Sequence, residues 1–326
     1  MTLITRKAMK KLTIRDIAAL AGVGKSTVSR VLNNDPNVKI ETQAKIRKII
    51  KEVGYKPSAV ARAMNNQPIQ SIGIIVTRLS SSAENQALSE IIDFFHQHEY
   101  EVLVLESRYD GELLNTHIEL MVQKQVEGII FFGFTDQGEI NKDLFNGNIV
   151  MIAVEQSGIS SVTTNSPLAI QHCFDHLKEN NAKRIAFLGV HVNDIQTGKL
   201  RLDAYKKSCI INKIEPIIHL TDMQYIDGIK GCKALLEAGA DAIICGTERL
   251  TAGALVHLLR EGKSDLPVAA IGINDYIRIL NPKIFAADLQ YAKVGKEAAI
   301  LLFHKMKGNN QNSDTVVQPL MTNLIV

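Results

Sequence analysis

From residue 71 onward, short runs of β-branched and aliphatic residues alternate with longer segments whose apolar residues recur at helical spacing. Runs that are apolar at successive positions, not at every second one, mark strands buried on both faces. Parallel strands joined by covering helices bury them in that way. Strands are expected at 71–78, 101–106, 128–134, 149–154, 184–190, 216–220, 242–246, 268–273 and 285–289, with helices such as 84–98, 167–179 and 291–306 between them. Nine strands in about 250 residues fit two similar lobes better than one sheet. The expected core is 67–326, with one lobe at about 70–166 and 291–318 and the other at about 167–290 and 319–326. Ligands of open α/β sheets bind beyond the carboxyl ends of the strands, which points to the cleft between the lobes.

The first 66 residues read differently. They carry 14 Lys and Arg against 4 Asp and Glu, a net +10, whereas residues 67–326 carry 23 against 30, a net −7; together these make the +3 of the chain. A small basic module on a larger acidic one is the electrostatic footprint of a nucleic-acid binder, although a solubilising tail would also be basic. The apolar spacing favours a folded module. Thr13 and Asp16 form a capping-box pattern; Leu12, Ile14, Ile17, Ala18 and Leu20 supply one apolar face; Gly22 permits a turn. Val28, Val31 and Leu32 face inward from a second helix, and Ile46, Ile49, Ile50 and Val53 from a third that spans 41–53. In a helix-turn-helix the second helix enters the major groove, so Lys25, Ser26, Thr27, Ser29 and Arg30 are the candidate readers. The string GVGKST imitates a phosphate-binding loop, but Ala19 stands where that loop needs glycine and no strand precedes it.

At the strand ends of the large domain, Arg78 is followed by Glu84 and Asn85 at a helix start suited to an anion. Lys199 and Arg201 follow the strand at 184–190, Thr247 and Glu248 the strand at 242–246, Asn274 the strand at 268–273, and Asp288 with Tyr291 the last parallel strand. Fork, hydroxyl and amide groups ringing a cleft suit a polyol, because each buried hydroxyl left unpaired costs ~1 to 3 kcal/mol. Taken singly, a polar residue at a strand end is most often a loop or helix cap.

The segment LTIRDIAALAGVGKSTVSRVLNN resembles, in length, order and turn, the operator-reading segment of the lactose/galactose repressor family. The resemblance continues through IIVTRLSSSAEN, GIIFFGFT, TGKLRLDAY and DLQYAKVG, and is strongest to the branch that answers to trehalose 6-phosphate. It implies an all-α helix-turn-helix domain in 1–66, then a two-lobed periplasmic-binding-protein-like core of two doubly wound parallel sheets. It also implies a hinge helix at about 57–65 that wedges an aliphatic side chain into the minor groove, with Met64 standing where Leu is usual. Further DNA contacts are implied at Thr13, Asn33, Tyr55 and Ala61. For the effector, the resemblance implies Arg78 as a phosphate ligand and supports Arg201. One departure stands out: Val154 occupies a position where trehalose repressors can carry a second phosphate-binding arginine. Losing a charge-assisted partner is worth roughly 1.5 to 3 kcal/mol, so either another cation, Lys199 or Arg201, compensates or the effector is a different sugar or sugar phosphate.

Other classes fit less well. The chain shows no GxSxG, HExxH or dinucleotide fingerprint, so no catalytic residue is expected. His172 and His176 stand at i and i+4, but a metal site needs three or four ligands; no metal or cofactor is expected. Cys173, Cys209, Cys232 and Cys245 are scattered without metal or disulfide spacing, which suits a reducing cytoplasm. A transport-type sugar-binding protein would need an export signal and has no use for a basic head; no 18-residue uncharged apolar run occurs. Met9, before Lys10 and Lys11, offers a second start. A helix-turn-helix of this kind reads two half-sites, so a homodimer is expected; the apolar run at 320–326, with no heptads after it, argues against a coiled-coil tetramer.

Overall fold

The computed structural model describes residues 12–32, 35–55 and 70–308, and the backbone of 316–317 and 322–325. Compact packing divides the chain between residues 69 and 70. The first unit holds three helices, α1 (Ile14–Ala21), α2 (Lys25–Leu32) and α3 (Ile40–Val53). At the start of α1 the Asp16 carboxylate accepts from Thr13 N at 2.7 Å and from Thr13 Oγ1 at 2.8 Å. Gly22 ends the helix at φ 67°, a left-handed cap that costs glycine no Cβ clash. Ile17, Ala18, Ala21, Val28, Val31 and Ile46 form the core, with Ile14, Leu32, Ile49, Ile50 and Val53 packed around them.

Three expectations need correction here. Leu20 is 55% exposed and Leu12 38%, so neither belongs to the apolar face. The buried stripe of α1 follows Ile14, Ile17, Ala18 and Ala21, spaced i, i+3, i+4 and i+7, and Leu20 falls on its flank. Tyr55, implied as a DNA contact, is instead a packing residue of the core, where burial raises its phenol pKa. Asn33, the hinge helix at 57–65 with Ala61 and Met64, and Met9 lie outside the described residues.

The second unit is built from two sheets. In the first, β1 (Ser71–Val76), β2 (Glu101–Glu106), β3 (Gly128–Phe132), β4 (Ile149–Ile152), β5 (Ser160–Val162) and β11 (Val316–Val317) lie in the order β11-β5-β4-β3-β1-β2. In the second, β6 (Ile185–Val190), β7 (Ile217–Thr221), β8 (Ala242–Cys245), β9 (Val268–Ile271), β10 (Phe285–Asp288) and β12 (Thr322–Ile325) lie in the order β12-β10-β9-β8-β6-β7. Every pairing is parallel except β10 with β12. The covering helices are α4 (Ser82–Gln97), α5 (Gly111–Gln123) and α11 (Tyr291–Met306) on the first lobe. On the second they are α6 (Ser166–Glu179), α7 (Leu200–Asn212), α8 (Tyr225–Glu237), α9 (Glu248–Arg260) and α10 (Asp275–Leu280).

Period-2 alternation explains the layers. Ile72, Ile74 and Val76 point to one side of β1, where Ile91, Phe95, Ala298 and Leu302 of α4 and α11 close over them. Ile75 points to the other side, against Leu114, Ile118 and Met121 of α5. In the second lobe Ala186, Leu188 and Val190 meet Cys232, Leu250 and Ala254, while Ile185 and Phe187 meet Phe174 and Tyr205. The expected strands overshoot the ladders: Arg78, Phe134, Val154, Gly246 and Ile273 all lie just past their strands, and all but Gly246 line the cleft. β5 escapes the sequence reading altogether, being three residues, Ser-Ser-Val, without an apolar run. Among the described residues no helix is long and apolar enough to cross a membrane.

Helices α4 and α11 approach closely at Gly295, where an added Cβ would lie 2.2 Å from the Ala87 carbonyl oxygen and 2.6 Å from its Cα. Both atoms are backbone and cannot step aside. Gly295→Ala is therefore expected to lower stability by about 1–3 kcal/mol through overpacking, read as an earlier urea midpoint with unchanged slope.

Candidate functional site

The strand order of each sheet reverses once, between β1 and β3 in the first lobe and between β6 and β8 in the second. At such switch points the following loops diverge and leave a crevice. The two crevices face one another and merge into one cleft with about 1170 Å3 of empty space, counting the part open to solvent. Thr77 and Arg78 after β1, Gly133 to Thr135 after β3, Asp194 after β6 and Thr247 to Arg249 after β8 line it.

Arg78 has few partners for its five donors. Its Nη2 lies 2.8 Å from the Met223 sulfur, a weak acceptor; its Nε is buried with no hydrogen-bond partner; and its Cζ stands 5.1 Å over the Tyr109 ring. Glu84 is beside it but is occupied by backbone and hydroxyl donors: Thr77 N at 2.7 Å, Arg78 N at 3.3 Å and the Thr77 hydroxyl. Burial raises the Glu84 carboxyl above its ordinary range, outweighing those hydrogen bonds.

Arg201 is the opposite case. Fully buried, it donates Nε to Ser166 Oγ at 3.2 Å and Nη1 to the Gly246 carbonyl, tying α7 to the start of α6 and the end of β8. Beside it, burial pushes the Tyr291 phenol up to about 12, so that hydroxyl stays a donor. Glu248, also raised by burial, accepts from Asn274 Nδ2 at 3.1 Å.

Of the ten effector candidates, Arg78, Glu84, Arg201, Thr247, Glu248, Asp288 and Tyr291 line the cleft. The other three do not. Asn85 is turned to the Leu79 carbonyl at 2.9 Å, Lys199 pairs with Asp203, and Asn274 caps α10 while holding Glu248. Lys199 is thus no substitute for an arginine at Val154, whose side chain lies against Gly133 in the cleft wall. Tyr109, Ser166, Asp194 and Arg249 were missed by sequence reasoning. Tyr109 and Asp194 follow β2 and β6, so the strand-end rule extended to those strands would have found them.

Several contacts bridge the lobes across the cleft, among them the Ser82 hydroxyl on Glu248. Besides Arg78 on Met223, Arg249 Nη2 donates to Ser80 Oγ at 2.9 Å and to its carbonyl at 3.2 Å, and Ile195 N donates to Thr135 Oγ1 at 2.9 Å.

In the first unit, α2 exposes Lys25, Ser26 and Arg30, with Thr27 and Ser29 half-buried. The Arg30 Nε contact with Asp35 is 3.8 Å and largely solvated, so little holds that guanidinium back from a phosphate or base. The Thr13 hydroxyl is used locally on Asp16. The GKST string enters α2 from the turn after α1, with no strand before it.

Comparison with known proteins places this architecture. A family model described as bacterial regulatory proteins of the lacI family matches residues 13–58, and one described as periplasmic binding proteins and sugar binding domain of the LacI family matches 70–319. The transcriptional regulator TreR of Salmonella typhimurium is 34% identical over 298 residues, 91% of this chain and 95% of its own. TreR of Escherichia coli is 32% identical over 307 residues, 94% of this chain and 98% of its own. The solved trehalose repressor from Escherichia coli superposes with a TM-score of 0.74 at 27% identity, covering 78% of this chain and 100% of that one. The operator-bound lac repressor dimer shares the fold at a TM-score of 0.83 and 22% identity, over 97% of this chain and 98% of that one. This chain belongs to the LacI family and is a DNA-binding transcriptional repressor, not an enzyme.

The two raised carboxyls give the cleft a pH signature. A raised folded pKa means that the folded chain keeps its proton to higher pH than the unfolded chain, so this contribution is present below about pH 4.5 and is lost as pH rises through the folded values. Urea unfolding of wild type and the Glu84→Gln, Glu248→Gln double variant should show the difference shifting toward the variant as pH rises from that range to neutrality. A pH-independent difference would rule out burial of the charges as its cause.

Proposed function

We propose that this repressor reads a two-fold operator as a homodimer in the cytosol and is controlled by trehalose 6-phosphate bound between its lobes. The regulated genes would be those of trehalose uptake and breakdown. The observation that carries the reading is Arg78: a guanidinium at a switch point whose buried Nε has no partner and whose Nη2 rests on a thioether. Such a fork lacks an anion, and a sugar phosphate supplies one. The trehalose branch of the reading rests on the TreR relatives, each similar over more than nine-tenths of this chain.

Coupling to DNA follows from where Arg78 sits. A phosphate taking its donors displaces Met223, one of the bridges between the lobes, and the ligand thereby changes the balance of lobe positions by the difference of its affinity for them. Around the sugar, Glu248 and Asp288 supply acceptors for hydroxyls and Tyr291 a donor, while Arg201 braces the wall behind them. Val154 favours a second reading, in which a different sugar phosphate, or a neutral sugar, is the effector, because an apolar side chain stands in the cleft lining where a second cation would grip a dianion.

Isothermal titration with trehalose 6-phosphate and with trehalose separates these readings. Binding of the phosphorylated sugar that weakens by roughly 10- to 100-fold in Arg78→Ala, with operator affinity intact, is expected. Trehalose bound as tightly as its phosphate, or neither bound, would move the effector elsewhere. For the DNA half, Lys25→Ala and Arg30→Ala should each weaken operator binding. A side chain that meets phosphate reduces the slope of log affinity against log salt by about 1, whereas one that meets a base relaxes sequence preference at one position. Unchanged affinity in both would remove α2 from the interface.

A further inference from the structure

The loop between β2 and α5 places two consecutive non-glycine residues in the left-handed region, Arg108 at φ 57° and Tyr109 at φ 61°. A free turn takes Gly or Asn there, because L side chains disfavour that conformation, and such departures persist where surrounding contacts impose them. The contacts here are many. Ser107 N donates to the Val76 carbonyl at 2.8 Å and Arg108 N to the Thr77 carbonyl at 2.9 Å, extending the β1–β2 ladder into the loop. Arg108 Nε reaches Glu106 at 3.0 Å, and the other oxygen of Glu106 accepts from Leu79 N at 2.9 Å. Asp110 then caps α5 through Glu112 N at 2.9 Å and Leu113 N at 3.0 Å.

What this scaffold delivers is the Tyr109 ring. It stands 5.1 Å from the Arg78 guanidinium carbon and packs edge-on against Phe134 at 5.7 Å, with both rings on the cleft wall. Its hydroxyl is hydrogen-bonded to the Thr77 side chain, whose own proton goes to Glu84. Tyr109 as a whole is 40% exposed, so this is no core residue.

We propose that Tyr109 positions the effector: its face fixes the plane of the Arg78 guanidinium, leaving the Nε edge to the anion, and beside Phe134 it offers an apolar platform to the adjoining sugar ring. A guanidinium held by cation–π contact keeps its N–H groups free, which an ion pair with Glu84 would not allow. The inference rests on the sugar-phosphate reading of the cleft.

The test is titration of full-length wild type, Tyr109→Phe and Tyr109→Leu with trehalose 6-phosphate and with trehalose, with thermal midpoint and sugar-free operator affinity as controls. Tyr109→Leu is expected to bind the phosphorylated sugar about tenfold more weakly, and Tyr109→Phe to stay within about threefold of wild type, as a ring-face contact requires. The preference of Tyr109→Leu for the phosphorylated over the free sugar should narrow, with both controls unmoved. Wild-type affinity in Tyr109→Leu would overturn the inference alone, as would a loss accompanied by a lower thermal midpoint, which marks a purely structural role. No binding of either sugar by wild type would overturn the effector reading and this inference with it.

Discussion

Burial of both faces of each parallel sheet is the constraint on which the rest depends. With Ile72, Ile74 and Val76 packed to one side of β1 and Ile75 to the other, neither face of this central strand can meet water or a polar ligand. The helices that achieve this burial must return over the sheet between strands, so the loops at the carboxyl ends are the places where polar side chains gather without disturbing the core. Both lobes repeat the same strand order, and both present the same kind of opening. The cleft is what remains when two such openings face one another.

Within that cleft two arginines show how one residue type serves two ends. Arg201 is buried and satisfied by Ser166 and Gly246; it braces three elements, and removing it would strand acceptors inside the second lobe. Arg78 is held by its face and by a thioether, leaving charge-assisted donors in reserve. The neighbouring acids differ in the same sense. Glu84 is filled by donors of its own loop and Glu248 is steadied by Asn274, and burial raises the pKa of both carboxyls.

The basic head works by different physics. Its core is a handful of aliphatic residues around Ile17 and Ile46, and its second helix has only eight residues, too short to persist without that packing. The excess of cations over this small module favours phosphates without specifying sequence; the side chains of α2 carry what selectivity the head has.

Much of this was legible in the sequence, because periodicity states which residues share a face. The strand–helix alternation gave the two-sheet core, the capping box and Gly22 gave the helix-turn-helix, and strand ends marked Arg78, Arg201 and Glu248. Depth and partnership were decided elsewhere. Leu20 is apolar yet exposed, because the packing of three short helices accepts only a narrow stripe; Tyr55 is polar-tipped yet buried for the same reason. That Arg78 meets Met223, 145 residues away, and that Lys199 spends its charge on Asp203 outside the cleft, are facts of tertiary structure. Local spacing fixes a side chain's direction about its own element, whereas the groups it meets are set by how separate elements pack, which no short stretch of sequence encodes.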